Sequence, residues 1–358
     1  MTNSKPKRRW YQYSLRTLLV FVVLSSVTFG WIGSRIRRAQ ENRDAAAAEE
    51  ERILKAVAEL HEPGGFMTKT VSLERRPQTW LEEQFDDPGD PDDPVRVLEV
   101  RKIIFYVSGS RRVTDADLAG IVQLQSLRYL DLYAGHVTDE GLKEVAKLKN
   151  LRHLRLADTK VSNVGMEALA SLPNLQDLNL SSTGVSDDGL KEIAKIQTLR
   201  RLNLSWSVGI TDTGLKHLRA LKDLRSLDIS SERNSHFTEA GIKHLAEIDS
   251  LEHLNLSHMG LNHIAPGLHH LAELPNLRRL DLRMTHVDPE LKGVSKLERL
   301  EYLDLYYTDV NDEGLKNLAG SKRLQYLNLQ RTKVTDKGMK HLAGLRRLQT
   351  LILYWTPG

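Results

Sequence analysis

From Leu127 onward one arrangement of apolar and polar positions recurs along the chain. The stretch LRYLDLYAGHVTDEGLKEVAKLKN (residues 127–150) shows it in full. LRYLDL alternates, so Leu130 and Leu132 point inward while Tyr129, Asp131 and Tyr133 face out, which predicts a β-strand. In VTDEGLKEVAKL the period changes. Leu142, Val145 and Leu148 stand three apart and predict a short helix, with Thr138 or Asp139 as its N-cap. Aligned on L-x-x-L-x-L, units begin at Leu127, Leu151, Leu175, Leu199, Leu224, Leu251, Leu277, Leu300, Leu324 and Leu348, with spacings of 23 to 27 residues. IIFYVSGSRRVTDADL (103–118) reads as a degenerate earlier unit that caps the array.

A period of this length is the signature of a solenoid, and this pattern is that of leucine-rich repeats. Stacked strands make a parallel sheet that needs cover on its inner face, and the helices supply it. The predicted fold class is therefore α/β: a leucine-rich-repeat horseshoe over 95–358, with a parallel concave sheet and convex helices. Two further columns run through the units. Gly141, Gly165, Gly189, Gly214, Gly241, Gly314 and Gly338 sit two residues after the Asp column. Glycine costs a helix about 0.5–1 kcal/mol relative to alanine, so its recurrence predicts backbone approaching backbone there. Thr159, Thr183, Thr285, Thr308, Thr332 and Thr356 follow the strands and are expected to bond loop amides.

Upstream the pattern is different. TLLVFVVLSSVTFGWIGS (17–34) has no charged residue over 18 positions. As a helix it would be roughly 27 Å long, close to the ~30 Å hydrocarbon core of a bilayer. Arg16 and Arg35 bracket it, and Trp10, Tyr11, Tyr13 and Trp31 lie where interfacial aromatics belong. The run is too long for a cleaved signal peptide, no A-x-A site follows, and Arg35, Arg37 and Arg38 resemble a stop-transfer. A basic tail (1–16) and a transmembrane helix (17–34) are thus expected. A juxtamembrane stalk helix (35–62) follows and ends at EPGG. Residues 63–94 read as an N-terminal capping segment and acidic linker. Their DDPGDPDDP run lacks the D-x-D-x-D-G order of a calcium loop.

Charge divides along the same lines. Residues 1–43 carry nine Lys/Arg and one acid; 44–100 carry six and fifteen; the rest is +5, giving +4 overall. The high pI therefore owes much to the N-terminus, and it is poor evidence for nucleic-acid binding. Five basic residues before the span against four after it favour an inside N-terminus, which exports the repeat domain. The absence of cysteine rules out disulfides and thiolate metal sites.

The unit L..L.L..T.VTD.GL..LA.L resembles the cysteine-containing subtype of leucine-rich repeats, with Thr or Ser where that subtype has Cys. The N-terminal YSLRTLL (Tyr13 to Leu19), leading into a span and then such repeats, resembles the membrane-anchored leucine-rich-repeat proteins of planctomycete bacteria. That resemblance implies a signal-anchored, single-pass protein of the bacterial inner (cytoplasmic) membrane. Similar repeats occur in F-box-type ubiquitin-ligase substrate receptors, but no F-box-like helical segment precedes them here, which argues against that role.

No Walker loop, dinucleotide fingerprint, nucleophile elbow or H-E-x-x-H is present, so neither an enzyme nor a cofactor is expected. His217, His244 and His270 occupy corresponding positions of consecutive units. Packed helices lie about 8–10 Å apart, so the outer two cannot share a metal ion. The outward column Asp131, Arg155, Asn179, Asn203, Asp228, Asn255, Asp281, Asp304, Asn328, Ile352 reads as a ladder keeping the concave face wet. Tyr302, Tyr306, Tyr307, Tyr326, Tyr354 and Trp355 crowd the last three units of a chain with 6% aromatics, with Arg331 among them. Tyr, Trp and Arg are the favoured hot-spot residues, so this is the first-choice binding site, for a protein partner or alternatively an envelope carbohydrate. Lengthened turns around Trp206, Arg233, His236 and His258 form a second candidate on one rim. The final LQTLILYWTPG reads as a frayed end or as a strand edge open to self-association.

Overall fold

The structure is a computed structural model that describes residues 48, 69–75, 98–105, 112–207, 209–231, 238–259, 265–354 and 356. The chain divides into two compact units, 1–54 with 75–98 and 55–74 with 99–358. Of the first, only helical Ala48 and the strand ends Arg75 and Leu98 are described. The predicted tail, span (17–34) and most of the stalk lie outside the described residues. Among the described residues, no helix is long and apolar enough to cross a membrane.

The second unit is a solenoid. Its sheet has twelve strands in chain order. They are β1 (Lys69–Arg75), β2 (Leu98–Phe105), β3 (Tyr129–Asp131), β4 (His153–Arg155), β5 (Asp177–Asn179), β6 (Arg201–Asn203), β7 (Ser226–Asp228), β8 (His253–Asn255), β9 (Arg279–Asp281), β10 (Tyr302–Asp304), β11 (Tyr326–Asn328) and β12 (Thr350–Ile352). From β2 on, each pairs in parallel with the next in one register, so equivalent residues align: Leu130 on Leu154, Leu154 on Leu178. From β3 on, the strands are three residues long rather than six, since a horseshoe needs pairing only where neighbouring units come close. The strand β1 falls where the sequence reading has only cap and linker.

Eight short helices follow strands: α1 (Asp115–Ile121), α2 (Asp139–Val145), α3 (Asn163–Leu169), α4 (Asp187–Ile193), α5 (Asp212–Leu218), α6 (Glu239–Ala246), α7 (Asp312–Leu318) and α8 (Asp336–Met339). Leu142, Val145 and Leu148 are at most 1% exposed and pack under Leu130 and Leu132, as their spacing predicts. Thr138 is the cap, accepting the Glu140 amide. Two units replace the expected α-helix with the 3₁₀ helices Ala265–Glu273 and Val294–Lys296, and α8 continues as 3₁₀ over Lys340–Gly344. Those two units contain proline or glycine near their helix starts (APG, and DPELKG before VSK), which weakens the i→i−4 ladder that an α-helix requires.

Most of the glycine column has a different cause from the one its recurrence suggests. In regular units the first helical residue is Asp or Asn, and its side chain reaches into the next unit. Asp139 accepts the Ser162 amide at 2.7 Å and its hydroxyl at 2.6 Å. Asp187 does the same with Thr211, at 2.8 and 2.5 Å. Asp115, Asp212 and Asp312 repeat the bond with Thr138, Thr238 and Thr335. The helix glycine leaves room for this carboxylate: a Cβ on Gly165 would stand 2.6 Å from Asp139 Oδ1. Backbone-to-backbone approach, as predicted, holds at Gly314, where a Cβ would lie 2.6 Å from Pro289 O, and in the irregular units, as at Gly267, where it would lie 2.8 Å from Glu239 Cα.

The threonine column also works for the most part otherwise than expected. Each hydroxyl donates to a carbonyl, as Thr159 to Leu156 O (2.6 Å), Thr183 to Leu180 O (2.6 Å) and Thr332 to Leu329 O (2.7 Å), and Thr285 also accepts a loop amide as expected, from Met259 at 3.4 Å.

Candidate functional site

Eight of the strands, β3 and β5 to β11, end in an Asx turn that shapes the rim above them. Asp131, Asn179, Asn203, Asp228, Asn255, Asp281, Asp304 and Asn328 each accept the amide two residues on through Oδ1. The column read as a wetting ladder is therefore structural. Asp131 and Asp304 are 3% and 2% exposed, too buried to keep a surface wet. One residue later the chain turns left-handed at non-glycine residues, among them Ser182, Trp206, His258, Met284, Tyr307 and Arg331, with φ between 52° and 62°. This costs energy for an L-residue, and the turn is fixed by a ladder of amides: Tyr307 donates to Gln330 O at 2.9 Å and Arg331 to Tyr354 O at 3.2 Å. The turn thereby aims one side chain per unit along the rim.

The C-terminal aromatics consequently split into two groups. On the concave floor Tyr302 and Tyr326 are in register on β10 and β11, their rings stacked at 4.2 Å with planes 10° apart. Arg279, aligned on β9, lies over Tyr302 at 4.3 Å from the ring centre. Guanidinium and two phenols thus form one stack across three strands. Burial, helped by the charge of Asp304, pushes the Tyr302 phenol well above the usual tyrosine range, so it stays neutral. Its hydroxyl donates to Asp304 Oδ2 at 3.3 Å. Burial also raises the Asp304 carboxyl, against the lowering effect of the Tyr306 amide.

The second group belongs to the rim, roughly four residues or 13 Å further along the strand direction. Tyr306 and Tyr307 meet at 6.2 Å between ring centres, and Arg331 lies 6.0 Å from the Tyr307 ring. Met284, His286, Asp309 and Lys333 complete an open groove of about 480 Å³ with Tyr307 and Arg331. Asp309 holds this wall together, at 2.8 Å from His286 and 2.6 Å from Lys333, and the Lys333 ammonium keeps its carboxyl below the usual range. Tyr354 is 64% exposed, while Trp355 lies outside the described residues. Of the second candidate, Trp206 and His258 come together, rings 6.2 Å apart, across the unit between them. Arg233 and His236 lie outside the described residues. In β12, Leu351 and Leu353 are each 38% exposed, where Leu327 and Leu329 are fully buried.

A further cluster escaped the sequence reading. At the opposite end of the concave face the Tyr129 ring lies 5.8 Å from His153, which bonds Asp177, and Asp177 in turn bonds Arg201. Beside them Arg155 bridges Asp131 at 2.9 Å and covers Tyr133 at 5.8 Å. These residues line a shallow groove of about 330 Å³. The signal was available: Tyr129, His153, Asp177 and Arg201 occupy one column, the same that carries Tyr302 and Tyr326. Among the described residues neither cluster presents a nucleophile beside a base.

Comparison with known proteins agrees with this architecture. A search of curated proteins found no match. Among solved structures, an internalin (inlF) from Listeria monocytogenes is 20% identical over 73% of this chain and 85% of that one, with a TM-score of 0.48. An internalin C2 (inlC2) from the same bacterium is 24% identical over 67% and 84%, with a TM-score of 0.40. The family described as leucine-rich repeat region matches residues 94–356. With the ten-unit register and the parallel sheet, that match places the chain in the leucine-rich repeat family.

Proposed function

We propose that this protein is a non-enzymatic, membrane-anchored binding module that recognises a protein partner through its concave face. Residues 17–34 would hold it in the bacterial cytoplasmic membrane, with the repeats on the exported side. The observation carrying this reading is the Arg279–Tyr302–Tyr326 stack. Its side chains are ordered before any partner arrives, so little rotamer entropy remains to be lost on binding, and hot spots favour these residue types. A carbohydrate ligand is less well supported, because the Asp/Asn column that would bond sugar hydroxyls is engaged with its own backbone.

The test is a crosslinking pull-down from native membranes with the full chain and its Tyr302→Ala/Tyr326→Ala variant, folding confirmed by circular dichroism. A protein retained by the first and reduced about tenfold or more in the second, matching a hot-spot loss of at least ~1.4 kcal/mol, supports the reading. Equal capture by both refutes the concave stack as the site. Protease protection of the repeats in sealed cells tests the exported topology.

A further inference from the structure

The convex histidines aligned in sequence do not converge: His244 bonds Glu247 at 3.2 Å, while His270 faces Glu239 and Glu273. The structure gathers a different set. In regular units the first helical residue holds the hydroxyl-bearing cap of the next unit. After α6 the sequence changes: the first helical residue is Glu239, one methylene longer than Asp, and Ile264, which has no hydroxyl, stands three residues before Gly267 where most units have Ser or Thr. Gly267 packs against the Glu239 backbone, where a Cβ would meet Glu239 Cα at 2.8 Å, so the glycine cleft is closed to the carboxylate. The carboxylate turns outward to His270, with Glu239 Oε1 3.5 Å from Nε2.

His269 stands beside it, ring centres 4.0 Å apart. One ligand atom each from Glu239, His269 and His270 lies within 4.8 Å of the others. The outer nitrogens are engaged elsewhere: His269 Nδ1 bonds the Pro266 carbonyl, and His270 Nδ1 lies 3.6 Å from Glu273 Oε1. For His269 the carbonyl oxygen at Nδ1 makes that nitrogen the donor and leaves Nε2 as the acceptor, the second-shell arrangement found around metal-bound imidazoles.

We propose that Glu239, His269 and His270 bind one divalent transition-metal cation of the zinc class. Two imidazoles and one carboxylate are a borderline donor set that suits zinc with water as fourth ligand, whereas calcium and magnesium need oxygen donors. Bonds of about 2.0–2.1 Å put tetrahedral ligands roughly 3.3 Å apart, within reach of small rotations of these solvent-facing side chains. The ion bridges α6 to the following 3₁₀ helix at the boundary where Gly267 closes the cleft that a carboxylate enters in regular units.

The untagged full chain, stripped of metal, is titrated with zinc chloride by calorimetry and with cobalt chloride by visible absorption. One equivalent is expected to bind and to raise the thermal midpoint. His269→Ala should weaken binding more than about 100-fold, beyond the 10–100-fold typical of second-shell partners. His244→Ala should leave it unchanged. Absence of stoichiometric binding, or unchanged affinity in folded His269→Ala, overturns the site. Should a variant fail to fold, zinc-edge absorption of the unmodified protein decides: two imidazole ligands support the assignment, and fewer refute it.

Discussion

If the helix glycines exist to admit the carboxylate of the preceding unit, glycine and aspartate must be energetically coupled. Asp187 and Gly214 form the cleanest pair, since a Cβ on Gly214 would overlap Asp187 Oδ1 and stand 3.0 Å from Asp187 Cγ, with only the tip of Leu190 (3.0 Å) also near. Asp187→Ala removes two hydrogen bonds to a carboxylate at a half-exposed site, 2.8 Å from the Thr211 amide and 2.5 Å from its hydroxyl. That should cost about 2–3 kcal/mol, including the loss of an acid at a helix N-terminus. Gly214→Ala expels the same carboxylate but gains about 0.5–1 kcal/mol of helix propensity, for a net cost of about 1–2 kcal/mol. In the double variant the space is already vacant, so the alanine brings its propensity at little steric cost. The pair should cost about 2 kcal/mol instead of the roughly 4 kcal/mol sum of the singles, a coupling near 2 kcal/mol. Urea titration of all four proteins by circular dichroism measures it, with equal m-values required so that the midpoints are comparable. Costs that add to within about 0.5 kcal/mol would refute the explanation given for the glycine column.

Two carboxylates should respond to acid with opposite signs. The Asp312 carboxyl is held below its ordinary 3.8 by the Thr335 amide and hydroxyl, so its contribution to stability is present above that value and lost as pH falls through the folded pKa. Asp312→Asn should flatten the acid limb of the stability–pH curve. Asp304 is raised above 3.8 by burial, so its contribution is complete below that value and lost as pH rises through the folded pKa. Asp304→Asn, which keeps the Tyr306 amide bonded, should therefore stabilise at neutral pH and lose that advantage below about 3.8, as read from urea midpoints across pH. Thr159→Val preserves shape but deletes the buried bond to Leu156 O, and should cost about 1 kcal/mol by the same assay.

Leucine spacing carried most of the fold, because a buried column must be apolar in every unit: Leu130, Leu154, Leu178 and Leu202 are all at most 2% exposed. The inward and outward assignment of strand residues followed from the same alternation. What a polar residue does was harder to read. Asp131 and Tyr129 both point away from the core, yet one is nearly buried under its own turn and the other lies on the open face. Alternation reports a side, whereas the turn geometry above the strand decides accessibility. The aromatic group was found by counting along the chain, a method that merges floor and rim and overlooks Tyr129 with His153. Reading down one column instead joins residues 24 apart that touch. The 3₁₀ units were missed because their leucines keep the expected spacing while proline and glycine alter the backbone between them.

The link between units also has a direction. Each regular unit offers an acceptor to its successor and a donor pair to its predecessor, so its two edges are complementary rather than alike. A unit copied and inserted between regular neighbours would find both edges matched at once, like a sentence that grows by repeating a clause. The step from Glu239 to Gly267 does not obey that grammar, because there the glycine packs against the Glu239 backbone instead of admitting a carboxylate. Units on either side of it are interchangeable in their links while this step is not, giving the array one landmark from which position along it can be counted.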